Sequence, residues 1–313
     1  MIVKIKSILR QSTCVIIALY IFRNAITHIK TLFKNFNSDG GATHRTFSLD
    51  ESIKYITNVF NDYKKVSGKQ KFYGKVAELG PGDCDGVALL FLNDGARHID
   101  LVDRFYSLRD TAQQKQILDC LIDRHPKLSG LCPNLSKYCI RHYGKIADKG
   151  RFFDKQKEYD FIVSRAVLEH VDAPEIIIKK MYGALSKGGY LIHKIDLRDH
   201  GMYPPEKSPL KFLEIPNFLY RLMTYGSGFP NRFLFHRYKT LLLSLSCKVK
   251  FFCTGLYGVE PFQEIYEIEN IPQDLKKQAI TFVDKNKCHF SNEFKKVSSE
   301  DLMISSFFFV CEK

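Results

Sequence analysis

The stretch that decides the fold lies at residues 76–82 and reads Val-Ala-Glu-Leu-Gly-Pro-Gly. A short apolar strand ends in the acid Glu78, and a glycine turn follows it. Gly80 and Gly82 let the backbone turn tightly and approach a ligand without a Cβ in the way. Residues 87–92 are then apolar at helical spacing. The stretch therefore predicts a strand, a ligand-binding turn and a helix in succession.

The spacing of the glycines argues against a dinucleotide site. Gly80, Gly82 and Gly86 form G-x-G-x-x-x-G, one residue longer than the dinucleotide fingerprint. Carboxylates at Glu78 and Asp83 flank the turn. They would repel a pyrophosphate but suit a cationic ligand. The glycines alone are equally compatible with a plain turn.

Strands and helices alternate along most of the remaining chain. Further strands are predicted at 99–102, 161–163, 190–195 and 249–254, and helices at 48–63, 109–124 and 174–185. Such alternation is typical of a parallel, doubly wound α/β sheet. We expect a Rossmann-like, mostly parallel sheet of seven strands with an antiparallel last strand at 303–310. Ligands of such sheets bind at the carboxyl ends of the strands.

Four segments in order resemble the class I S-adenosylmethionine-dependent methyltransferases. They lie at 76–82, 100–103, 159–171 and 185–192. The resemblance covers roughly residues 75–259 and implies a domain that binds S-adenosylmethionine and transfers its methyl group. The chain departs from the pattern at Cys84, where many members have a third glycine. A narrower similarity, at 80–83, 164–171 and 193–201, is to uncharacterised bacterial members linked to surface-glycan or small-molecule biosynthesis.

The resemblance implies a cofactor site at the ends of the strands. Asp103 lies where such enzymes hold the ribose hydroxyls, and Asp148 is a candidate for contacting the adenine amino group. A surface carboxylate and a solvated loop acid are the alternatives for these two residues. The full predicted cofactor set is Glu78, Gly80, Pro81, Gly82, Asp83, Asp103, Arg104, Asp148, Ser164 and Arg165. Glu169 and His170, just beyond it, are equally well explained as helix-start residues with a structural role.

The segment after the strand at 190–195 carries the candidate catalytic residues. His200 is the first candidate for a general base, because imidazole titrates near the working pH, and Asp196 is the second. A salt bridge from Arg198 to Asp196 or to Asp199 is the structural alternative. No metal is expected, since alternation along the strand puts His193 on the other face from Asp196.

An aromatic insertion at about 197–237 follows and is expected to form the substrate pocket or a lid. A hydrophobic subdomain accounts for most of its rings. Asn231 and Arg232 are its polar exceptions and are predicted to bind substrate, with Arg232 pairing a carboxylate or phosphate. The domain that includes this insertion is expected to span residues 46–313.

Residues 1–45 are predicted to form a basic N-terminal arm with a helix. No acid precedes Asp39, and a nine-residue apolar run at 14–22 is too short to cross a bilayer. The arm is expected either to lie on an anionic membrane surface or to pack on the domain through Val15, Leu19 and Phe22.

Composition limits the class of protein. The 313 residues include nine cysteines without CxxC pairs, which favours reduced thiols in the cytoplasm. The net charge of +13 suits anionic partners. We expect a cytoplasmic enzyme, peripheral on the inner face of the membrane through its arm, that methylates a hydroxyl or amine of a sugar, a glycan precursor or another small molecule. A nucleic-acid methyltransferase is disfavoured because the basic residues are spread out, and a non-catalytic cofactor-binding scaffold is the remaining alternative.

Overall fold

The computed structural model describes residues 12–32, 37–38, 43–131, 135–155, 158–226 and 228–313. Within these ranges there are ten strands and eleven α-helices. The strands are β1 Asn37–Ser38, β2 Gly74–Leu79, β3 Ala96–Asp103, β4 Tyr106–Ser107, β5 Cys139–Tyr143, β6 Tyr159–Arg165, β7 Leu185–Asp196, β8 Lys248–Leu256, β9 Tyr266–Glu267 and β10 Ile304–Glu312. The helices are α1 Thr13–Leu32, α2 Leu49–Ser67, α3 Gly86–Asp94, α4 Thr111–Arg124, α5 Leu135–Tyr138, α6 Pro174–Ala184, α7 Asn217–Thr224, α8 Phe235–Leu243, α9 Gln273–Lys287, α10 Asn292–Lys295 and α11 Ser299–Leu302.

Eight of the strands form one sheet in the order β5-β3-β2-β6-β7-β10-β8-β9. The first five are parallel to one another, and β10 is antiparallel to both β7 and β8. The predicted doubly wound, mostly parallel sheet with an antiparallel last strand is confirmed. The strand beyond the expected seven is the two-residue edge strand β9, which pairs with β8. The direction of winding reverses between β2 and β6, so a ligand site is expected beside these two strands.

The sheet is buried on both faces, and β10 shows how. Phe307 and Phe309 point into one apolar cluster, while Phe308 and Val310 point into the other. This strict alternation follows from the two-residue period of a strand. A strand buried on both faces has a nearly continuous apolar sequence, as residues 307–310 do.

Helix α2, predicted at 48–63, begins at a capping box. The Ser48 hydroxyl accepts the backbone N–H of Glu51 at 3.3 Å, and the Glu51 carboxylate accepts the backbone N–H of Ser48 at 2.8 Å. The helix ends at Gly68, whose φ of +66° suits a residue without a Cβ. It runs four residues beyond its predicted end at 63, because Val66 is still buried on its inner face.

The N-terminal helix α1 packs on α7 with a different face from the one proposed. Asn24 is buried and donates to the carbonyl of Leu222 at 2.8 Å. Leu19 and Phe22, by contrast, are 45% and 66% exposed. The prediction that they pack on the domain is therefore wrong.

Helix α1 is also longer than the nine-residue apolar run suggested. Residues 13–30 are long and apolar enough to cross a membrane by length and composition, a test that a core helix or a signal sequence also passes. Only 11% of this stretch is buried within the protein.

The aromatic insertion forms a hydrophobic subdomain on one face of the sheet. Most of its rings are buried: Tyr203, Phe212, Tyr220, Phe233 and Phe235. Phe218 and Tyr225, both exposed, lie on the outer face of α7 or just beyond it. The structural interpretation of the insertion thus holds for most of its rings.

Candidate functional site

The parallel strands bring the predicted polar residues to one edge of the sheet. Leu79, the last residue of β2, pairs with Val102 on one side and Ser164 on the other. Ser164 pairs in turn with His193 of β7. The turns and side chains that follow these positions therefore lie at one level, at the carboxyl ends of β2, β3, β6 and β7.

The glycine turn after β2 is held against β3 and β6. The Gly80 N–H donates to the carbonyl of Val102 at 2.9 Å. Gly80 has a φ of +65°, and a Cβ added there would lie 2.3 Å from Cγ2 of Val167. Gly82 has a φ of +64°. Both positions therefore require glycine, and the half-buried Pro81 between them completes a turn with no side chain on Gly80 or Gly82.

Asp103 ends β3 beside this turn. Its carboxylate accepts the N–H of Phe105 at 3.0 Å, and backbone N–H groups of Arg104 and Gly82 also favour its ionised form. Burial dominates and raises the pKa of Asp103 to about 6. The carboxylate is thus ionised at neutral pH, close to the glycine turn, and able to accept hydrogen bonds from ligand hydroxyls.

Glu78 lies one position before the end of β2 and is 7% exposed. Burial, with a smaller contribution from the negative charge of Asp85, raises the pKa of Glu78 to about 8. Glu78 is therefore protonated at neutral pH unless a cation lies beside it.

Other members of the predicted cofactor set have their side chains engaged within the protein. The Asp83 carboxylate is buried and accepts the backbone N–H groups of His44 and Arg45, at 3.3 and 3.1 Å. The fully buried Ser164 hydroxyl lies 2.7 Å from Nδ1 of His193. Both side chains are engaged within the protein and are not free to contact a ligand in this arrangement, against their predicted role.

The remaining three predicted cofactor residues lie at the edge of the site. The Arg165 guanidinium pairs with Asp62 of α2 at 2.7 Å and remains partly exposed. Arg104 lies directly after Asp103, with its guanidinium 5.3 Å from the ring centre of Phe105. Asp148 begins a 3-10 helix after β5, and its side chain lies outside the described residues.

An ion-pair cluster that was not predicted from the sequence is hydrogen-bonded to the backbone of the glycine turn. Asp85, the residue before α3, pairs with both Arg109 and Arg141. Arg141 also donates to the carbonyl of Gly82 at 3.1 Å and to the hydroxyl of Tyr143 at 3.0 Å. Arg141 lies on β5, an edge strand of sequence Cys-Ile-Arg-His-Tyr that was not predicted.

The end of β7 forms a cleft with the candidate catalytic residues. The cleft is lined by Asp196, Arg198, Asp199, His200 and Gly201. Arg198 pairs with Asp196, as the structural alternative predicted, and the Arg198 and His200 partners hold the pKa of Asp196 well below its usual range despite burial. Asp196 is therefore a poor proton acceptor. Its Oδ2 lies 3.7 Å from Nε2 of His200, so the carboxylate is placed to orient that imidazole.

Two residues that the sequence analysis left as structural complete this region. Oε1 of the buried Glu169 accepts the backbone N–H of Asp196 at 3.0 Å. The ring centres of His170 and His200 are 4.8 Å apart. Burial, and then the neighbouring His200, lowers the pKa of His170 to about 4, so its ring is neutral. The Leu-Glu-His-Val stretch at 168–171 could have pointed to these two residues. The directions of their side chains, however, depend on the turn after β6, which the sequence alone does not give.

The predicted substrate residues Asn231 and Arg232 point into the protein. Asn231 donates to the carbonyls of Leu168 and Val171, each at 2.8 Å. Its own N–H donates to the carbonyl of Glu169 at 2.5 Å. Asn231 therefore holds the turn that carries Glu169 and His170, and its predicted contact with substrate is wrong.

Arg232 is 8% exposed, and both terminal nitrogens of its guanidinium donate to groups of the insertion and a neighbouring helix. It donates to the carbonyls of Phe212 and Ile215 and pairs with Glu293 at 3.1 Å. The ring of Tyr220 lies 4.1 Å away. A guanidinium with these partners holds the insertion together, and its predicted role in binding substrate is wrong.

Comparison with known proteins places the chain in a family. Residues 61–224 match the family described as a methyltransferase domain. No curated protein matches the sequence. Among solved structures, the chain is similar to phosphoethanolamine N-methyltransferase 2 of Haemonchus contortus in complex with S-adenosyl-L-methionine, with 14% identity and a TM-score of 0.42 over 82% of this chain and 52% of that one.

It is also similar to an S-adenosylmethionine-dependent methyltransferase of Mesorhizobium loti, with 11% identity and a TM-score of 0.42 over 85% of this chain and 100% of that one. The chain spans about half the length of the Haemonchus enzyme. The family match covers more than half of the 313 residues and includes the glycine turn, Asp103 and the turn after β6. On this basis the chain belongs to the methyltransferase-domain family, within the class I S-adenosylmethionine-dependent methyltransferases.

Proposed function

We propose that the protein transfers a methyl group from S-adenosylmethionine to a hydroxyl or amine of a small molecule, such as a sugar or glycan precursor. The observation that carries the proposal is the arrangement of two sets of residues on one sheet edge. Gly80, Gly82 and Asp103 follow β2 and β3, whereas Asp196 and His200 follow β7, with only β6 between the two sets.

The first set fits the cofactor chemically. An ionised carboxylate at Asp103 can accept hydrogen bonds from ribose hydroxyls, and the turn has no Cβ at Gly80 or Gly82 to obstruct a ligand. A cationic ligand near Glu78 would lower its pKa and favour its ionised form. S-adenosylmethionine, when bound, supplies an electrophilic methyl group.

The second set faces the acceptor. His200 borders the cleft at the end of β7, and the ionised Asp196 orients its ring. We assign to His200 the removal of the acceptor's proton, and to Asp196 the orientation of the His200 ring. The charged cleft favours a polar acceptor, and the choice of a sugar or glycan precursor rests on the sequence resemblance alone.

The cofactor site is tested by calorimetry with S-adenosylmethionine and the full chain. Asp103→Asn keeps the size of the side chain but removes its charge, and Asp274→Asn changes an exposed carboxylate on α9 as a matched control. We expect about tenfold or greater loss of affinity for Asp103→Asn and none for the control. Equal affinity of all three proteins would overturn the assignment of Asp103. If S-adenosylmethionine binds, the protein is then incubated with cofactor labelled in its methyl group and with nucleotide sugars, glycans, amines or RNA. The compound that takes up the label is the acceptor.

A second proposal concerns the membrane. Helices α1 and α7 pack together, and each exposes an apolar face: Leu19, Phe22, Ile26 and Ile29 on α1, and Phe218 and Leu222 on α7 with Tyr225 just after it. Arg23, Lys30 and Arg221 are exposed on the same two helices. An apolar face bordered by basic residues is typical of helices that lie in an anionic interface. We therefore propose that this pair of helices holds the protein on the inner face of the membrane.

A further inference from the structure

We propose that Glu169, His170 and His200 form a binding site for a divalent transition-metal cation. One possible ligand atom from each residue lies within 4.8 Å of the other two. The first two residues follow β6 and the third follows β7, so the fold itself brings them together. Two imidazoles and one carboxylate suit Zn²⁺ or Mn²⁺, whereas Mg²⁺ prefers oxygen ligands.

Glu169 supplies the clearest sign of a missing partner. The residue is 1% exposed, and its Oε1 accepts the backbone N–H of Asp196 at 3.0 Å. Its Oε2 is buried and has no hydrogen-bond partner among the described residues. A buried carboxylate oxygen without a partner is unfavourable, and a cation would satisfy it.

His170 is held in the tautomer that a metal ligand needs. Its Nδ1 lies 2.9 Å from the carbonyl oxygen of Gly228. Because a carbonyl only accepts, Nδ1 carries the hydrogen and Nε2 carries a lone pair. Histidines that bind metals commonly donate their other ring N–H to a backbone carbonyl or a carboxylate. This hydrogen bond fixes both the tautomer and the orientation of the ring.

His200 closes the site on the side of the cleft. Its φ of +52° is uncommon for a residue other than glycine, and the turn is held by the Asp199 carboxylate, which accepts the N–H groups of Gly201 and Tyr203 at 3.1 and 3.0 Å. Its side chain is 27% exposed. Three protein ligands at the mouth of a cleft would leave coordination positions open to water or an acceptor.

This inference deepens the proposed function and rests on it for the identity of the acceptor. A cation at this site would bind the acceptor hydroxyl and lower its pKa, so that the proton could pass to solvent water in the open cleft. His200 would then serve as a ligand in place of the base role assigned above. The metal set that the sequence disfavours consists of His193, Asp196 and His200; His193 is buried, with its Nδ1 2.7 Å from the Ser164 hydroxyl. The proposed set uses Glu169 and His170 in its place.

The test is calorimetric titration of the chelator-treated full chain with Zn²⁺, Mn²⁺ and Mg²⁺, without cofactor or acceptor. Glu169→Gln retains an oxygen that accepts the N–H of Asp196 but replaces Oε2 with an amide NH2 group, whose nitrogen does not bind a metal. His200→Asn removes the imidazole, and asparagine tolerates a positive φ. His289→Asn removes an exposed imidazole after α9 and serves as the control, and circular dichroism checks that each variant is folded.

We expect one saturable site for Zn²⁺ and Mn²⁺ that binds both more tightly than Mg²⁺. The affinity should fall by about tenfold or more in Glu169→Gln and in His200→Asn but not in His289→Asn. Absence of saturable binding, or equal affinity in the folded variants and the wild type, would overturn the site. Failure of this test leaves the binding of S-adenosylmethionine at Asp103 unaffected, so the two proposals fail separately.

Discussion

The backbone N–H of Asp196 donates to Oε1 of Glu169 at 3.0 Å, which joins the end of β7 to the turn after β6. The same turn is held from the other side by Asn231, through the carbonyls of Leu168 and Val171. The turn that carries Glu169 and His170 is therefore supported by the insertion that follows it in sequence. Residues far from any ligand should influence turnover through this support.

Asn231→Ala should lower turnover without weakening cofactor binding. The change removes two partly buried hydrogen bonds of the amide to the carbonyls of Leu168 and Val171, which costs about 1–3 kcal/mol of stability. We expect a lower kcat, because Glu169 and His170 lose their support, and an unchanged Kd for S-adenosylmethionine. Denaturant unfolding, calorimetry and methyl transfer are measured alongside Asn270→Ala, which changes an exposed amide. An unchanged kcat in a measurably destabilised Asn231→Ala would contradict this role.

Glu78→Gln should stabilise the protein, and more so at pH 7 than at pH 5. The pKa of Glu78 rises from an ordinary 4.5 to about 8 on folding, so the folded state must take up a proton that the unfolded state has lost. The contribution of Glu78 to stability is thus complete below pH 4.5 and is lost as the pH rises to 8. Glutamine avoids this loss, which amounts to about 3 kcal/mol at pH 7 and about 1 kcal/mol at pH 5.

The measurement for Glu78 is urea unfolding of the wild type and the variant across pH 5–8. Glu260→Gln, at an exposed position, is the matched control and should show no such trend. A stability difference that does not grow with pH would mean that Glu78 is ionised in the folded state. Binding of S-adenosylmethionine by Glu78→Gln should weaken, since the neutral side chain no longer favours a cationic ligand.

The sequence predicted the parts of the site that depend on the backbone. The glycine turn and Asp103 are consequences of strand ends and φ angles, which local sequence encodes. It failed where a side chain's partner comes from a distant part of the chain. Arg232 is of a residue type that often binds anionic substrates, yet its guanidinium donates to the carbonyls at 212 and 215 and pairs with Glu293. The strand β5 was missed because this edge strand has adjacent polar residues at 141–142 and lacks the apolar run of the central strands.

Arg232→Lys should destabilise the protein without changing the apparent affinity for acceptor. A lysine has one ammonium in place of the planar fork that contacts two carbonyls, Asn217 and Glu293, and the loss is about 2 kcal/mol. The half-exposed Arg237→Lys is the control on a neighbouring helix and should cost little. A selective rise in KM with intact stability would restore Arg232 as a substrate residue.

Removal of the exposed apolar rings of α1 and α7 should release the protein from anionic vesicles. Phe22 and Phe218, both 66% exposed, are changed together to serine, because burial of each ring in the interface favours binding. The control is Leu243→Ser, which changes a side chain that is 61% exposed at the end of α8, outside the proposed membrane face. Co-sedimentation uses vesicles with and without phosphatidylglycerol, at low and high salt.

The wild type and Leu243→Ser should pellet with anionic vesicles and less so at high salt, since basic side chains contribute an electrostatic attraction that salt screens. The Phe22→Ser, Phe218→Ser protein should stay in the supernatant while its binding of S-adenosylmethionine is unchanged, because neither ring lies in the cofactor site. Equal pelleting of this variant and the wild type would show that α1 and α7 do not contact lipid. Their exposed faces would then be explained by a protein partner or a second copy of the chain, which sedimentation velocity of the same variants would reveal.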